Sequence, residues 1–182
     1  RCRQEVPGQI LRRNIADAGT EDRTKSGEAY RMAGKIQLLV SAVNQDAAAL
    51  AEQMNICTDA VIVNQCDRYG YEEIMLRGHR IQVFSMAERG VGLSRNTALL
   101  HADAQICVFS DEDIVLQPDY AEQVGRAYDA LPDADMILFN VQVAPARRTY
   151  WNEDIHRINY RNYGRYPAYS ITARQKALRR AN

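Results

Sequence analysis

Ile106-Cys-Val-Phe-Ser-Asp-Glu-Asp-Ile-Val-Leu116 is the stretch on which the reading of this chain turns. An apolar run ends in three consecutive acids and a second apolar run follows, so carboxylates are delivered at the end of a buried strand. Such a cluster is costly without a counter-ion. On an extended strand Asp111 and Asp113 would point the same way. Hard carboxylate oxygens suit Mg²⁺ or Mn²⁺ completed by water and diphosphate oxygens. Acidic triplets also occur on solvated turns, and what raises this one is its position after a buried strand.

Upstream, one helix and one strand away, stands Glu88-Arg-Gly-Val-Gly-Leu-Ser-Arg-Asn96. Its glycines permit close backbone approach, and the helix that follows presents unpaired N–H groups to an anion. Arg95 near the helix start can reach a phosphate. The stretch is not the dinucleotide fingerprint, because its third glycine position is Arg95, and no P-loop lysine follows. The bland reading is a helix cap with Arg95 bridging to an acid such as Asp113.

Around these two stretches the pattern alternates. Strands are predicted over Ile36–Val43, Ala60–Val63, Ile81–Phe84, Gln105–Phe109 and Met136–Phe139, and helices over about Asp46–Met54, Leu93–Ala102 and Asp119–Leu131. A polar loop is expected from Asn64 to about Tyr71. Near-continuous apolar strands alternating with helices imply an α/β fold with a mostly parallel sheet and helices on both faces. Ligands of such sheets lie beyond the carboxyl ends of the strands. Ser41, Asn44, Asn64, Gln65 and Asp67 are the polar residues expected there, although polar turn formers follow most strands.

Charge divides the 182 residues into three. Residues 1–35 carry eight basic against five acidic residues, 36–146 six against sixteen, and 147–182 nine against two. The acidic centre argues against a general nucleic-acid grip there and fits a site for a divalent cation. Cys2, Cys57, Cys66 and Cys107 have no C-x-x-C spacing, so neither zinc nor a disulfide framework is signalled. A reducing compartment follows as the default. Neither a transmembrane run nor a signal-peptide core is visible. Three segments are expected: a disordered or non-native leader over 1–31, a nucleotide-binding α/β domain over 32–146, and a Tyr/Arg-rich segment over 147–182. The last holds five of the ten tyrosines and the single Trp151.

The order Val40-Ser-Ala-Val-Asn44, Val61-Ile-Val63, Gly92-Leu-Ser-Arg-Asn96 and Val108-Phe-Ser-Asp-Glu-Asp113 resembles family 2 glycosyltransferases of the A-type fold, in particular the bacterial surface-polysaccharide branch. The resemblance covers about Ile36–Val143, with weaker likeness through Arg165-Tyr-Pro-Ala-Tyr169. It implies an inverting transfer from a nucleotide-diphosphate donor, usually a UDP-sugar, to a saccharide or lipid-linked acceptor, with Mg²⁺ or Mn²⁺. A cytoplasmic location is expected, with contact at the inner face of the membrane as a further option. Ala42 and Asn44 would line the nucleoside site, Asp67 or a neighbour would approach the base, and Arg95 and Asn96 would lie near the donor. Asp111 would contact ribose or metal, and Asp113 would hold the metal. Two departures stand out. The aspartate pair usual after the second strand is replaced by Asn64-Gln65-Cys66-Asp67. The acceptor-side motif that supplies the catalytic base is expected beyond Asn182.

Two other readings compete. A nucleotidyltransferase would carry a glycine-rich basic loop after the first strand, where Ser41-Ala-Val-Asn-Gln45 has none. A non-catalytic domain could instead use the Tyr/Arg-rich segment on single-stranded nucleic acid or an anionic membrane surface. Those tyrosines can also pack on the sheet with their hydroxyls wet. Nucleic acid ranks last among these partners.

Overall fold

The computed structural model describes residues 35–142, 152–166 and 171–181. The expectation of a leader over 1–31, and the positions of Tyr150, Trp151 and Tyr169, lie outside those residues.

The chain lays down β1 (Ile36–Val43), α1 (Ala47–Gln53), β2 (Asp59–Gln65), β3 (Gly70–Leu76), β4 (His79–Met86), α2 (Val91–Leu100), β5 (Ile106–Asp111), α3 (Tyr120–Ala130), β6 (Met136–Leu138), β7 (Ile171–Arg174) and α4 (Gln175–Ala181). The strands form one sheet in the order β3-β4-β2-β1-β5-β7-β6. Its centre, β4-β2-β1-β5, is parallel. Both flanks are antiparallel.

Alternation along the central strands sorts two apolar layers. Leu38, Val40, Ile62 and Val108 pack with Leu50 and Met54 of the α1 stretch and with Val124 and Tyr128 of α3. Leu39, Val61, Val63, Cys107 and Phe109 turn the other way, onto Ala98 and Leu99 of α2 and Leu178 of α4. Helices therefore cover both faces, as the apolar strands require. Each fully buried large aliphatic contributes about 1.5–3 kcal/mol against exposure. Asp46 caps α1, its Oδ1 accepting from the Ala49 N–H at 2.9 Å.

Two strands escape the sequence pattern. Where a polar loop was expected up to Tyr71, β3 already begins at Gly70 and pairs with β4 through the two-residue turn Arg77-Gly78. Both turn residues have positive φ, 52° and 84°, the geometry that matches the twist of a hairpin. Tyr71, Glu72 and Glu73 are exposed because β3 is an edge strand. At the other flank β7, from the Tyr/Arg-rich segment, inserts between β5 and β6. Residues 171–181 thus belong to the α/β body.

The chain leaves β1 toward β2 and β4 on one side, then returns to β5 on the other. Strand order reverses between β1 and β5, and a crevice at the carboxyl ends of these two strands is where such sheets bind ligands.

Candidate functional site

At that crevice Ser41 of β1 lies opposite Asp111 of β5. β5 ends at Asp111, and Glu112 and Asp113 form a turn closed by the Ile114 N–H donating to the Asp111 carbonyl at 3.2 Å. The expectation that Asp111 and Asp113 continue one extended strand is thereby corrected. The two carboxylates are presented by a turn, which frees Asp113 to stand in solvent.

Arg95 of α2 reaches Asp111, Nη2 to Oδ1 2.9 Å, with the two side chains 23% and 36% exposed. The bridge anticipated to an acid such as Asp113 is made to Asp111, the last residue of β5. Arg95 Nε is buried and has no hydrogen-bond partner among the described residues. Asp113 makes no ion pair among them.

Glu112, given no role from sequence, accepts the Val43 N–H at 2.7 Å and so ties the end of β1 to the acidic turn. Asn44 follows in the left-handed region, φ 52°, a conformation asparagine tolerates. Asn64 holds the loop after β1 by accepting from the Gln45 N–H (3.1 Å) and donating to the Gln45 carbonyl (2.8 Å). Ala42 is fully buried with its side chain in the α1-side core, so only its backbone can serve the crevice. Asp67 is exposed two residues beyond β2, on the same rim. Asn96 is exposed beside Arg95.

A groove of about 530 Å³ opens next to the Arg95–Asp111 pair. Leu93 and Leu99 of α2, Phe109, Met136, Ile171 and Leu178 wall it, and Arg95 and Asn96 share its lining.

The sequence pattern described as "Glycosyl transferase family 2" matches residues 39–180, most of the chain. The chain belongs to glycosyl transferase family 2. Solved structures of S. aureus TarS 1-349 are similar to it: the complex with UDP-GlcNAc at TM-score 0.57 and 15% identity, over 81% of this chain and 47% of that one. The complex with UDP gives 0.56 at 15% identity, over 81% and 48%, and TarS 1-349 alone 0.52 at 14%, over 81% and 49%. At such identities the likeness shows the fold, a nucleotide-sugar transferase sheet of the A type. The chain spans about half the length of these TarS chains. No curated protein matches it.

For this family 2 chain, the donor set can be tested against a divalent cation. No group of three or more His, Cys, Asp or Glu side chains among the described residues forms a cage. What the turn offers is one exposed, unpaired carboxylate, Asp113, beside Asp111. That suits Mg²⁺ or Mn²⁺, which bind through one or two carboxylates and fill the remaining positions with water and phosphate oxygens.

Proposed function

We propose that this chain is the donor-binding part of an inverting, metal-dependent glycosyltransferase that uses a UDP-sugar and a saccharide or lipid-linked acceptor, in surface-polysaccharide synthesis. The observation that carries the reading is the placement of Asp111 and Asp113 at the β1/β5 switch point, with Arg95 of α2 fixed on Asp111. A parallel sheet puts its ligand there, and the residue types match a diphosphate with its cation. The ligands of the two TarS complexes, UDP-GlcNAc and UDP, support the choice of nucleotide.

In this mechanism the rim at Asn44 and Asp67 binds the nucleoside, and the backbone at Ala42 and Val43 frames it. Asp111 would orient the ribose or share the cation, and Asp113 would hold it. The cation, when bound, neutralises charge on the departing diphosphate. Arg95 has a second role, because its guanidinium keeps Asp111 in place while adding positive potential beside the phosphates. Asn96 lies on the same helix turn, at the donor's edge. An acceptor hydroxyl must lose its proton as it attacks the anomeric carbon, a transfer worth about 10²–10⁴-fold when a positioned base accepts it.

The described part of the Tyr/Arg-rich segment exposes Ile155, Tyr160 and Tyr163, with Arg161 over the Tyr160 ring at 5.4 Å. Amphipathic side chains of this kind support peripheral contact with an acceptor at an anionic membrane face. The donor assignment is tested by calorimetry of UDP, GDP and ADP with Mn²⁺ and with EDTA. UDP binding that needs the metal is expected; equal binding of all three, or binding indifferent to EDTA, contradicts it.

A further inference from the structure

Gln65, the last residue of β2, is almost completely buried, yet its amide faces polar groups at both ends. Its Nε2 donates to Ser41 Oγ at 3.3 Å and to the Ala42 carbonyl at 3.4 Å. Its Oε1 accepts the Gly90 N–H at 2.6 Å, the shortest of the three contacts. Gly90 is the N-cap of α2, with φ 150° and no side-chain cap of its own. The first N–H groups of a helix lack intrahelical partners, so an acceptor brought from β2 fixes where α2 begins.

From Gly90 the helix runs to Arg95, and Arg95 holds Asp111. Asp111 is the register partner of Ser41, which in turn meets Gln65. Gln65, Gly90, Arg95, Asp111 and Ser41 therefore close a ring around the crevice. The far end of α2 is held separately, by Ala98 and Leu99 in the core and by His101 stacked on Phe84 at 3.9 Å between ring centroids. Loss of the Gln65 amide thus loosens the first turn of α2 without releasing the helix.

We infer that Gln65 is a positioning residue that sets the distance between Arg95 and the carboxylate turn, and through it the affinity for the nucleotide diphosphate. Its amide is spent inside the protein, so it acts through Arg95 rather than on the ligand. The affinity part of this inference rests on the donor-site reading above, whereas the positioning part can be measured without ligand.

The test compares wild type, Gln65→Met and Ser41→Ala by amide hydrogen exchange and by calorimetry of UDP with Mn²⁺. In wild type the Gly90 N–H is bonded to Gln65, and the Ser94 N–H to the Gly90 carbonyl at 2.9 Å. Gln65→Met is expected to speed exchange at both amides by about ten-fold, as loss of one buried hydrogen bond implies, with Leu99 unchanged. UDP binding should weaken by about the same factor. Ser41→Ala removes one partner of the same amide in a smaller change, and should move both readouts the same way by about three-fold; it decides the matter if Gln65→Met does not fold. Unchanged exchange at Gly90 overturns the inference. So does weaker UDP binding without faster exchange, since Gln65 would then touch the nucleotide. If wild type binds no UDP, the donor reading fails, and the exchange data alone decide the role of Gln65.

Discussion

Replacing Arg95 with Met keeps the apolar stem of the side chain and removes the charge that faces Asp111. At about 4 Å between charge centres the attraction is about 1 kcal/mol in water and about 4 kcal/mol at the effective dielectric of a protein surface. The pair is between a fifth and two fifths exposed, which places it between those limits. Desolvation and side-chain ordering subtract from the gross figure, and hydrogen bonds to charged groups are worth about 1.5–3 kcal/mol net. A loss of about 2 kcal/mol is therefore expected in the free protein, or about 4–8 °C in Tm for a domain of this size. Asp111→Asn alone and the double variant complete a thermodynamic cycle by urea denaturation, with a coupling of about 1–2 kcal/mol expected. In the same Arg95→Met protein, Mn²⁺ alone should bind at least as well as in wild type, because local negative charge rises, while UDP with Mn²⁺ binds more weakly. A coupling near zero, or a parallel gain in nucleotide affinity, refutes the role given to this ion pair.

Other outcomes follow from single contacts. Asp46→Ala removes the side-chain cap of α1 and should cost about 1 kcal/mol by urea titration, whereas Asp46→Asn should cost much less. Gly78→Ala meets no atom within 4 Å, so its expected loss of about 1 kcal/mol comes from backbone conformation alone, φ being +84°. Burial pushes the Cys107 thiol from 9.0 up to about 12, and likewise raises the hydroxyl of Tyr128. Both ionise more readily in the unfolded chain, so the stability they contribute is complete at pH 8 and is lost as pH rises, for Cys107 up to about 12. Each can cost up to about 1.4 kcal/mol per pH unit in its window. Urea midpoints at pH 8, 9.5 and 11 should fall progressively, and a flat series would show that these groups are not sequestered.

The fold was legible where burial imposes a pattern. Val61-Ile-Val63 and Ile106–Phe109 are apolar on both faces, and only a sheet covered twice makes use of that. β3 was not legible, since Ile74 and Leu76 are only half-buried against the core while Glu72 and Glu73 lie in solvent at the edge. β7 was hidden in an arginine-rich stretch, its four residues identified as a strand only by their partners in β5 and β6. At the site, residue types pointed to Asp111, Asp113 and Arg95, but the choice of partner for Arg95 depended on where β5 ends. Gln65 was placed at the end of β2 by sequence, but neither its bond to Gly90 nor that of Glu112 to Val43 left a signal, because a side chain bonded to a backbone N–H distant in sequence follows no period.

The most direct measurement of the central claim is UDP binding by calorimetry with Mn²⁺, comparing wild type with Asp113→Ala. The account predicts metal-dependent binding in wild type and its loss, by ten-fold or more, when the exposed carboxylate is removed, with Tm unchanged. Equal UDP affinity in the two proteins would mean that Asp113 is only a residue of a solvated turn, and the donor site would have to be sought elsewhere.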